Sequence, residues 1–262
     1  MADSMDTKHL LLTKGLEEEV YTGTLDADAV PLSHRIAADL SGFVTEPDAR
    51  NVEYTTDPYR SYQVLLDRLM GKRCQLRRYL CRIGDYTLIP GSTLSLETSD
   101  EFVISNPNNP YYRFIRDTYG TTVVTASTHI NVGIPDPDSL IAAYRLLRTE
   151  ASMYLALTAN SPFLRGQPTG AHSNRWLVFP QTPPDVPFFT SHDHFKTWVG
   201  QQIESGAMFN PRHLWLSIRP NGDATPNEIE RLELRICDRI SRPRILGAVI
   251  ALFEARIWQV LE

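Results

Sequence analysis

Cysteine is scarce: Cys74, Cys81 and Cys237 are the only three in 262 residues, too few and too scattered for a disulfide framework or a four-ligand zinc site. A reducing compartment is the economical reading. A basic excess is also missing, since 26 Lys plus Arg against 31 Asp plus Glu leave a net charge of −5. Nucleic-acid binding draws its affinity from a basic face that displaces phosphate counterions, so that class of partner is excluded. No stretch approaches the roughly 20 uninterrupted apolar residues of a membrane span. The opening segment, MADSMDTKHLLL, is acidic, and its apolar run is too short for a secretory signal. The expectation is a cytoplasmic protein with no membrane partner. The phosphate-loop pattern GxxxxGK[ST], the dinucleotide pattern GxGxxG and the nucleophile pattern GxSxG are all absent, so any nucleotide must be held by other means.

What is present suffices for a core: 42% of residues are hydrophobic and 22% charged. Prolines and glycines punctuate the chain without forming a linker, and residues 1–262 read as a single catalytic domain. Residues 62–83 place Leu65, Leu66, Leu69, Leu76, Leu80 and Ile83 at helical spacing. PDPDSLIAAYRLLRTEASMYLALTA starts with an N-cap candidate in Asp136 or Asp138 and continues as a helix. HDHFKTWVGQQIESG gives a shorter one, and SRPRILGAVIALFEARIWQVLE a last one that reaches Glu262 with no stop signal.

The strand-like segments sort residue types by parity. VVTASTHINVGI sets Val124, Ala126, Thr128, Ile130, Val132 and Ile134 against Thr125, Ser127, His129 and Asn131; HLWLSIRP sets Leu214, Leu216 and Ile218 against His213, Trp215, Ser217 and Arg219. LELRICD and NVEYTT repeat the pattern, and in GLEEEVY Glu17 and Glu19 share a parity while Glu18 goes with Leu16 and Val20. Side chains of a strand alternate between faces, so each segment has one greasy and one polar side. The ordinary reading of such a pattern is an antiparallel sheet with its polar face in water. This polar face instead collects Glu17, Glu19, Glu53 and Glu233 with His129, Arg219 and Arg235. Crowded carboxylates repel one another unless cations neutralise them. Oxygen ligands with one imidazole suit Mg²⁺ or Mn²⁺, and carboxylates beside arginines suit a nucleoside triphosphate.

Six segments, KGLEEEVYTG, RNVEYTT, STHINVGI, LTANSPFLRG, HSNRW and RLELRICD, together resemble the glutamate–cysteine ligases, most closely the cyanobacterial type within the carboxylate–amine ligase superfamily. The resemblance runs from about residue 10 to the end and implies an α+β fold. That fold is a curved, largely antiparallel sheet with helices on its outer face, like that of glutamine synthetase. It also implies that the chain stops short of the family's C-terminal helices. The implied reaction is ATP- and Mg²⁺-dependent joining of the γ-carboxylate of L-glutamate to the amine of L-cysteine through a γ-glutamyl phosphate, the first step of glutathione biosynthesis. By the same resemblance Glu17, Glu19, Glu53, His129 and Glu233 hold metal, and His129, Asn131 and Arg235 lie at the nucleotide. Arg235, Arg175 and Arg219 serve the phosphoryl and acyl groups. The rivals are a ligase for another amine, a truncated nucleotide-binding relative without activity, and a metal-dependent hydrolase. Three further features have plainer readings: His192 and His194 as helix-end residues rather than a metal pair, Cys237 as a buried structural thiol rather than a nucleophile, and Glu46 and Asp48 of EPDAR as surface turn residues rather than one more oxygen for a metal.

Overall fold

The computed structural model describes residues 11–94, 96 and 101–262. The first ten residues, which carry most of the acidic segment behind the cytoplasmic expectation, lie outside them. Nine strands are present among the described residues: β1 (Lys14–Thr24), β2 (Phe43–Thr45), β3 (Asn51–Thr55), β4 (Tyr86–Ile89), β5 (Thr128–Gly133), β6 (Phe163–Leu164), β7 (Gln167–Pro168), β8 (Ile218–Asn221) and β9 (Arg231–Leu234). Seven of them form one sheet in the order β2-β3-β1-β5-β9-β8, with β4 also paired to β1, and β6 and β7 form a separate hairpin. Every pairing in the large sheet is antiparallel.

The first strand is the hub. Its 11 residues are shared: residues 17–21 pair with β3, residues 14–18 with β5 and residues 21–24 with β4. Gly23 is required there, because a Cβ at this position would lie 2.3 Å from the Asp28 carbonyl and 2.5 Å from Ile89 Cδ1.

Seven helices accompany the sheet among the described residues: α1 (Ser33–Asp39), α2 (Tyr62–Ile83), α3 (Pro110–Tyr119), α4 (Pro137–Thr158), α5 (Asn174–Val178), α6 (His192–Glu204) and α7 (Pro243–Leu261). Their starts follow sequence signals. Ser61 caps α2, Asp136 caps α4 by accepting from Ser139 N at 2.8 Å, and Pro243 occupies the first turn of α7. The helices α2 and α4 pack on the sheet and α7 on both of them. Between them the apolar parity of the strands disappears: Leu16, Val20, Val52, Ile130, Val132, Leu232 and Leu234 are all buried. This is the mixed helix and antiparallel sheet fold expected from the sequence, and the long helices fall where periodicity set them.

The expectations for HLWLSIRP and EPDAR need correction. HLWLSIRP is not one strand: residues 211–213 form a 3₁₀ turn opened by Pro211, and β8 begins only at Ile218. The EPDAR residues are not surface turn residues. Asp48 is buried, its carboxylate gripped by Arg50 at 2.7 Å, and Glu46 is half-buried in the cleft described below. No helix among the described residues is long and apolar enough to cross a membrane.

Candidate active site

The polar face of the sheet floors a cleft of about 580 Å³. Cross-strand register builds this floor in rows. Glu19 lies opposite Glu53, Glu17 lies opposite both Thr55 and His129, and Glu233 lies opposite both Asn131 and Arg219. Directly opposed residues on one face of an antiparallel pair have Cβ atoms about 5 Å apart, so the register alone brings these groups into contact. Every residue singled out on the five site strands, β1, β3, β5, β8 and β9, therefore converges on one surface. Arg175 joins from α5 and also lines the cleft.

His129 is the centre of the network. Its Nδ1 faces Glu17 Oε2 at 3.0 Å and Glu233 Oε1 at 3.6 Å, and its Nε2 lies 2.9 Å from Ser127 Oγ. Ser127 donates to Glu19 Oε2 from both its backbone N (2.8 Å) and its Oγ (2.6 Å). Asn131 Nδ2 donates to Glu17 Oε1 at 2.9 Å. Two triads, Glu17–His129–Glu233 and Glu19–Glu53–His129, each place one ligand atom per residue within 4.8 Å of the others. That spacing, and a donor set of carboxylate oxygens with one imidazole, fits a hard divalent cation.

Glu233 is fully buried and clamped. Arg219 donates to its Oε2 from Nε at 2.8 Å, Asn221 Nδ2 donates to the same oxygen at 2.9 Å, and Arg235 Nη1 donates to Oε1. Burial pushes its carboxyl up, but Arg219, Arg235 and His129 together hold it well below the usual range. Glu17 is also held low: burial and Glu233 act to raise it, and His129 and Arg235 outweigh them. The other end of the floor behaves oppositely. Burial and then the charges of Glu46, Glu17 and Glu19 push Glu53 well above the carboxylate range. Glu46 is pushed up to about 8, first by burial and then by Glu19. The site is therefore polarised: arginines neutralise the Glu233 end, while among the described residues the pull of Arg212 on Glu46 and Glu53 is outweighed by burial and by the neighbouring carboxylates.

Arg175 is 2% exposed. Its Nη1 donates to the Ile236 carbonyl at 3.2 Å, while its Nε has no hydrogen-bond partner among the described residues. Burial lowers its pKa, which Glu19 and Asp238 counteract. A buried cation with an unspent donor is a seat for an anion. Its position is set by Asp238, which is fully buried and accepts from Asn160 N (2.8 Å), Ser161 Oγ (2.7 Å) and Ser173 Oγ (2.7 Å). The ANSPF turn thus forms part of the wall that presents α5.

Sequence reasoning set Glu46 aside as a turn residue and missed Arg212. Both line the cleft. Glu46 follows β2, a three-residue strand with no alternation to read, and the only signal was one more acid close to Glu53 in sequence. The side features resolve plainly. His192 Nε2 meets the Pro226 carbonyl at 2.9 Å, and His194 Nδ1 accepts from Thr190 N at 3.3 Å, so they serve the start of α6. Cys237 is buried and its thiol is pushed up to about 12 by that burial, which removes it as a nucleophile.

A carboxyl whose folded pKa lies above its unfolded one stabilises the fold below the unfolded value, and that contribution is lost as pH rises through the folded value. For Glu46 this window runs from 4.5 to about 8. His213, lowered from 6.5 to about 4 by burial, contributes its slope below pH 6.5, so the range from 6.5 to 8 isolates the acidic cluster. In chelator the melting temperature should fall across that range, Mg²⁺ should raise it more at the upper end, and Glu46→Gln should flatten the fall. A flat profile with equal metal effects at both ends contradicts the cluster's polarisation.

The family model for glutamate–cysteine ligase family 2 matches residues 13–262. The chain is 27% identical to a provisionally named glutamate–cysteine ligase 2-1 of Rubrobacter xylanophilus, over 95% of this chain and 67% of that protein. It is 30% identical to another of Rhodococcus jostii, over 87% of this chain and 62% of that protein. It spans about two thirds or less of the length of these relatives. Among solved structures, the bifunctional glutathione synthetase of Pasteurella multocida superposes with a TM-score of 0.72 at 18% identity, over 95% of this chain and 39% of that one. The glutamate–cysteine ligase of Francisella tularensis in complex with AMP superposes with a TM-score of 0.68 at 13% identity, over 94% and 67%. At these identities the likeness is one of fold. With 13–262 of its 262 residues matched, the chain belongs to glutamate–cysteine ligase family 2.

Proposed function

We propose that residues 1–262 act as a catalytic unit of an ATP- and Mg²⁺-dependent ligase that joins the γ-carboxylate of L-glutamate to the amine of L-cysteine through a γ-glutamyl phosphate. The observation that carries this reading is the row of Glu53, Glu19, Glu17, His129 and Glu233 across adjacent strands, with Arg219, Arg235 and Arg175 around it. The Francisella ligase, of similar fold, is in complex with AMP, which supports a nucleotide as a ligand. Glu17, Glu19, Glu53, His129 and Glu233 would hold Mg²⁺ or Mn²⁺, which neutralises charge on the transferring phosphoryl oxygens when bound.

The chain's own residues do the rest. Asn131 and His129 fix the Glu17 carboxylate through both of its oxygens. Arg235, whose pKa burial lowers but Glu233, Glu17 and Glu19 raise further, stays a cation throughout and stabilises the phosphoryl group as charge grows on it. Arg175 offers its free Nε to the anionic ligand. No nucleophilic side chain is needed, because the glutamate carboxylate itself attacks the γ-phosphorus and ADP leaves. The cysteine amine then displaces phosphate from the acyl carbon. A hydrolase would release phosphate from ATP without both amino acids, and a ligase for another amine would do so with glutamate and that amine.

Phosphate release from ATP, measured with Mg²⁺, glutamate and each of several amines, should be greatest with cysteine and abolished by chelator. Glu17→Gln and Glu19→Gln should each lower it by about a hundredfold or more, the scale of other losses of transition-state charge stabilisation. Undiminished turnover in chelator removes the cation from the reading.

Arg235 touches Glu233, so a purely structural tie between neighbouring residues has to be separated from chemistry. If the arginine meets phosphoryl oxygens in the transition state, Arg235→Ala should depress kcat more than it raises KM for glutamate. Arg235→Lys should restore only part of it, since an ammonium lacks the planar fork. Normal turnover in a folded Arg235→Ala protein with a lowered melting temperature assigns the residue to structure alone.

A further inference from the structure

We infer that Glu18, the acid of the first strand turned away from the cleft, sets the spacing of the metal-binding carboxylates by pinning the register of three strands. The inference rests on the cation reading above and adds a positioning residue to it. Glu18 is fully buried among the helices, on the same face as Leu16 and Val20. A hydrophobic residue would fill that position at less cost, because a buried ion pair rarely repays its desolvation and because Glu17 and Glu19 lie immediately beside it in sequence. What the carboxylate does there is join elements. It lies directly opposite Tyr54 of β3 and Thr128 of β5, and it bonds to both: Tyr54 OH donates to Oε2 at 3.1 Å and Thr128 Oγ1 donates to Oε1 at 2.9 Å. Arg73 of α2 donates to Oε2 at 2.7 Å, tying the row to the helix behind the sheet.

The partners of Glu18 are the chain neighbours of the site residues. Tyr54 follows Glu53, Thr128 precedes His129, and Glu18 stands between Glu17 and Glu19. A slip of one residue between β1 and either neighbour would turn Glu53 or His129 to the helix face and lose the site at once. One buried row on the back of the sheet thus holds the two rows in front of it, Glu19–Glu53 and Glu17–His129, at fixed separation. Thr128 Oγ1 also accepts from Ile240 N at 2.8 Å, which extends the row to the segment after β9.

The test is Mn²⁺ binding to the full chain, read from the loss of the free-ion electron paramagnetic resonance signal. It is made on wild type, Glu18→Gln, the double variant Glu18→Leu with Arg73→Met, and Glu254→Gln as a control. Glu254 forms a second buried ion pair, with Lys14 at 2.9 Å, between β1 and α7, so its loss destabilises the fold without touching the row. Measured below the unfolding transition of each protein, both Glu18 variants should bind Mn²⁺ about tenfold more weakly, the lower end of losses for residues that orient metal ligands. Turnover should recover in them at saturating Mg²⁺, while Glu254→Gln loses melting temperature and keeps its Mn²⁺ affinity. The double variant replaces the Glu18–Arg73 pair by apolar groups, leaving Arg239, whose Nε lies 3.7 Å from Glu18 Oε2, as the remaining cation of the row, and gives a second reading if Glu18→Gln alone folds poorly. Unchanged Mn²⁺ affinity in the Glu18 variants, or equal weakening in Glu254→Gln, overturns the positioning role. Absence of Mn²⁺ binding in wild type overturns the cation reading and this inference with it.

Discussion

Mutual repulsion of carboxylates on one face of a sheet is the constraint around which this molecule is organised. Glu17, Glu19, Glu53 and Glu46 all line the same cleft, with Glu233 fully buried at its far end. At an effective dielectric near 20, two unit charges 4 Å apart repel by about 4 kcal/mol, too much to leave unanswered at several positions. One end is answered within the chain, by Arg219 and Arg235 on Glu233. At the other end burial, and then the neighbouring carboxylates, raise Glu46 and Glu53, which leaves that end to the divalent cation proposed above. The proposed cation site needs this imbalance, since a site fully neutralised by its own arginines has no affinity left for an ion.

The geometry that imposes the repulsion also makes it usable. Because β1 pairs with β3, β4 and β5, its alternate residues are brought opposite functional groups from several parts of the chain. The helices behind the sheet absorb the apolar parity and make a slip of register costly. An aromatic group, Tyr111, Phe114, Tyr119, His213 and Trp215, packs α3 against the 211–215 segment, and its Tyr111 and Trp215 wall the cleft on another side. His213 is fully buried within it and is held neutral, so it adds no charge to a crowded site.

How far this could be read from sequence depended on whether a residue's neighbours carried a period. Glu17, Glu19, Glu53, His129 and Glu233 were legible because strand alternation is strict, and the parity of Glu18 with Leu16 and Val20 placed it on the opposite face. Glu46 was not legible, since it sits after a three-residue strand where a turn and a site wall look alike. HLWLSIRP alternated well but is mostly irregular, because Pro211 and the burial of His213 among aromatic rings override its strand propensity. LELRICD was likewise cut short: the Arg235 and Ile236 amides both turn to the Ser217 carbonyl, ending the ladder at Leu234. The helix α3 was not read from the sequence, although Asn109 and Pro110 supply its start and its ten residues are amphipathic. Arg175 was identified from the resemblance of HSNRW alone; nothing in its spacing reveals a buried cation held by Ser161 and the Asp238 hub.

The central claim is that glutamate is activated as an acyl phosphate on this sheet, and isotope transfer tests it most directly. Glutamate carrying ¹⁸O in its γ-carboxylate is incubated with the protein, ATP, Mg²⁺ and cysteine, and the inorganic phosphate is analysed by mass spectrometry. Attack of the carboxylate on the γ-phosphorus followed by displacement at carbon carries one labelled oxygen into each phosphate, with one γ-glutamylcysteine formed per ADP. Unlabelled phosphate released at the same rate with or without cysteine would mean that water, not glutamate, attacks ATP, and would contradict the ligase assignment.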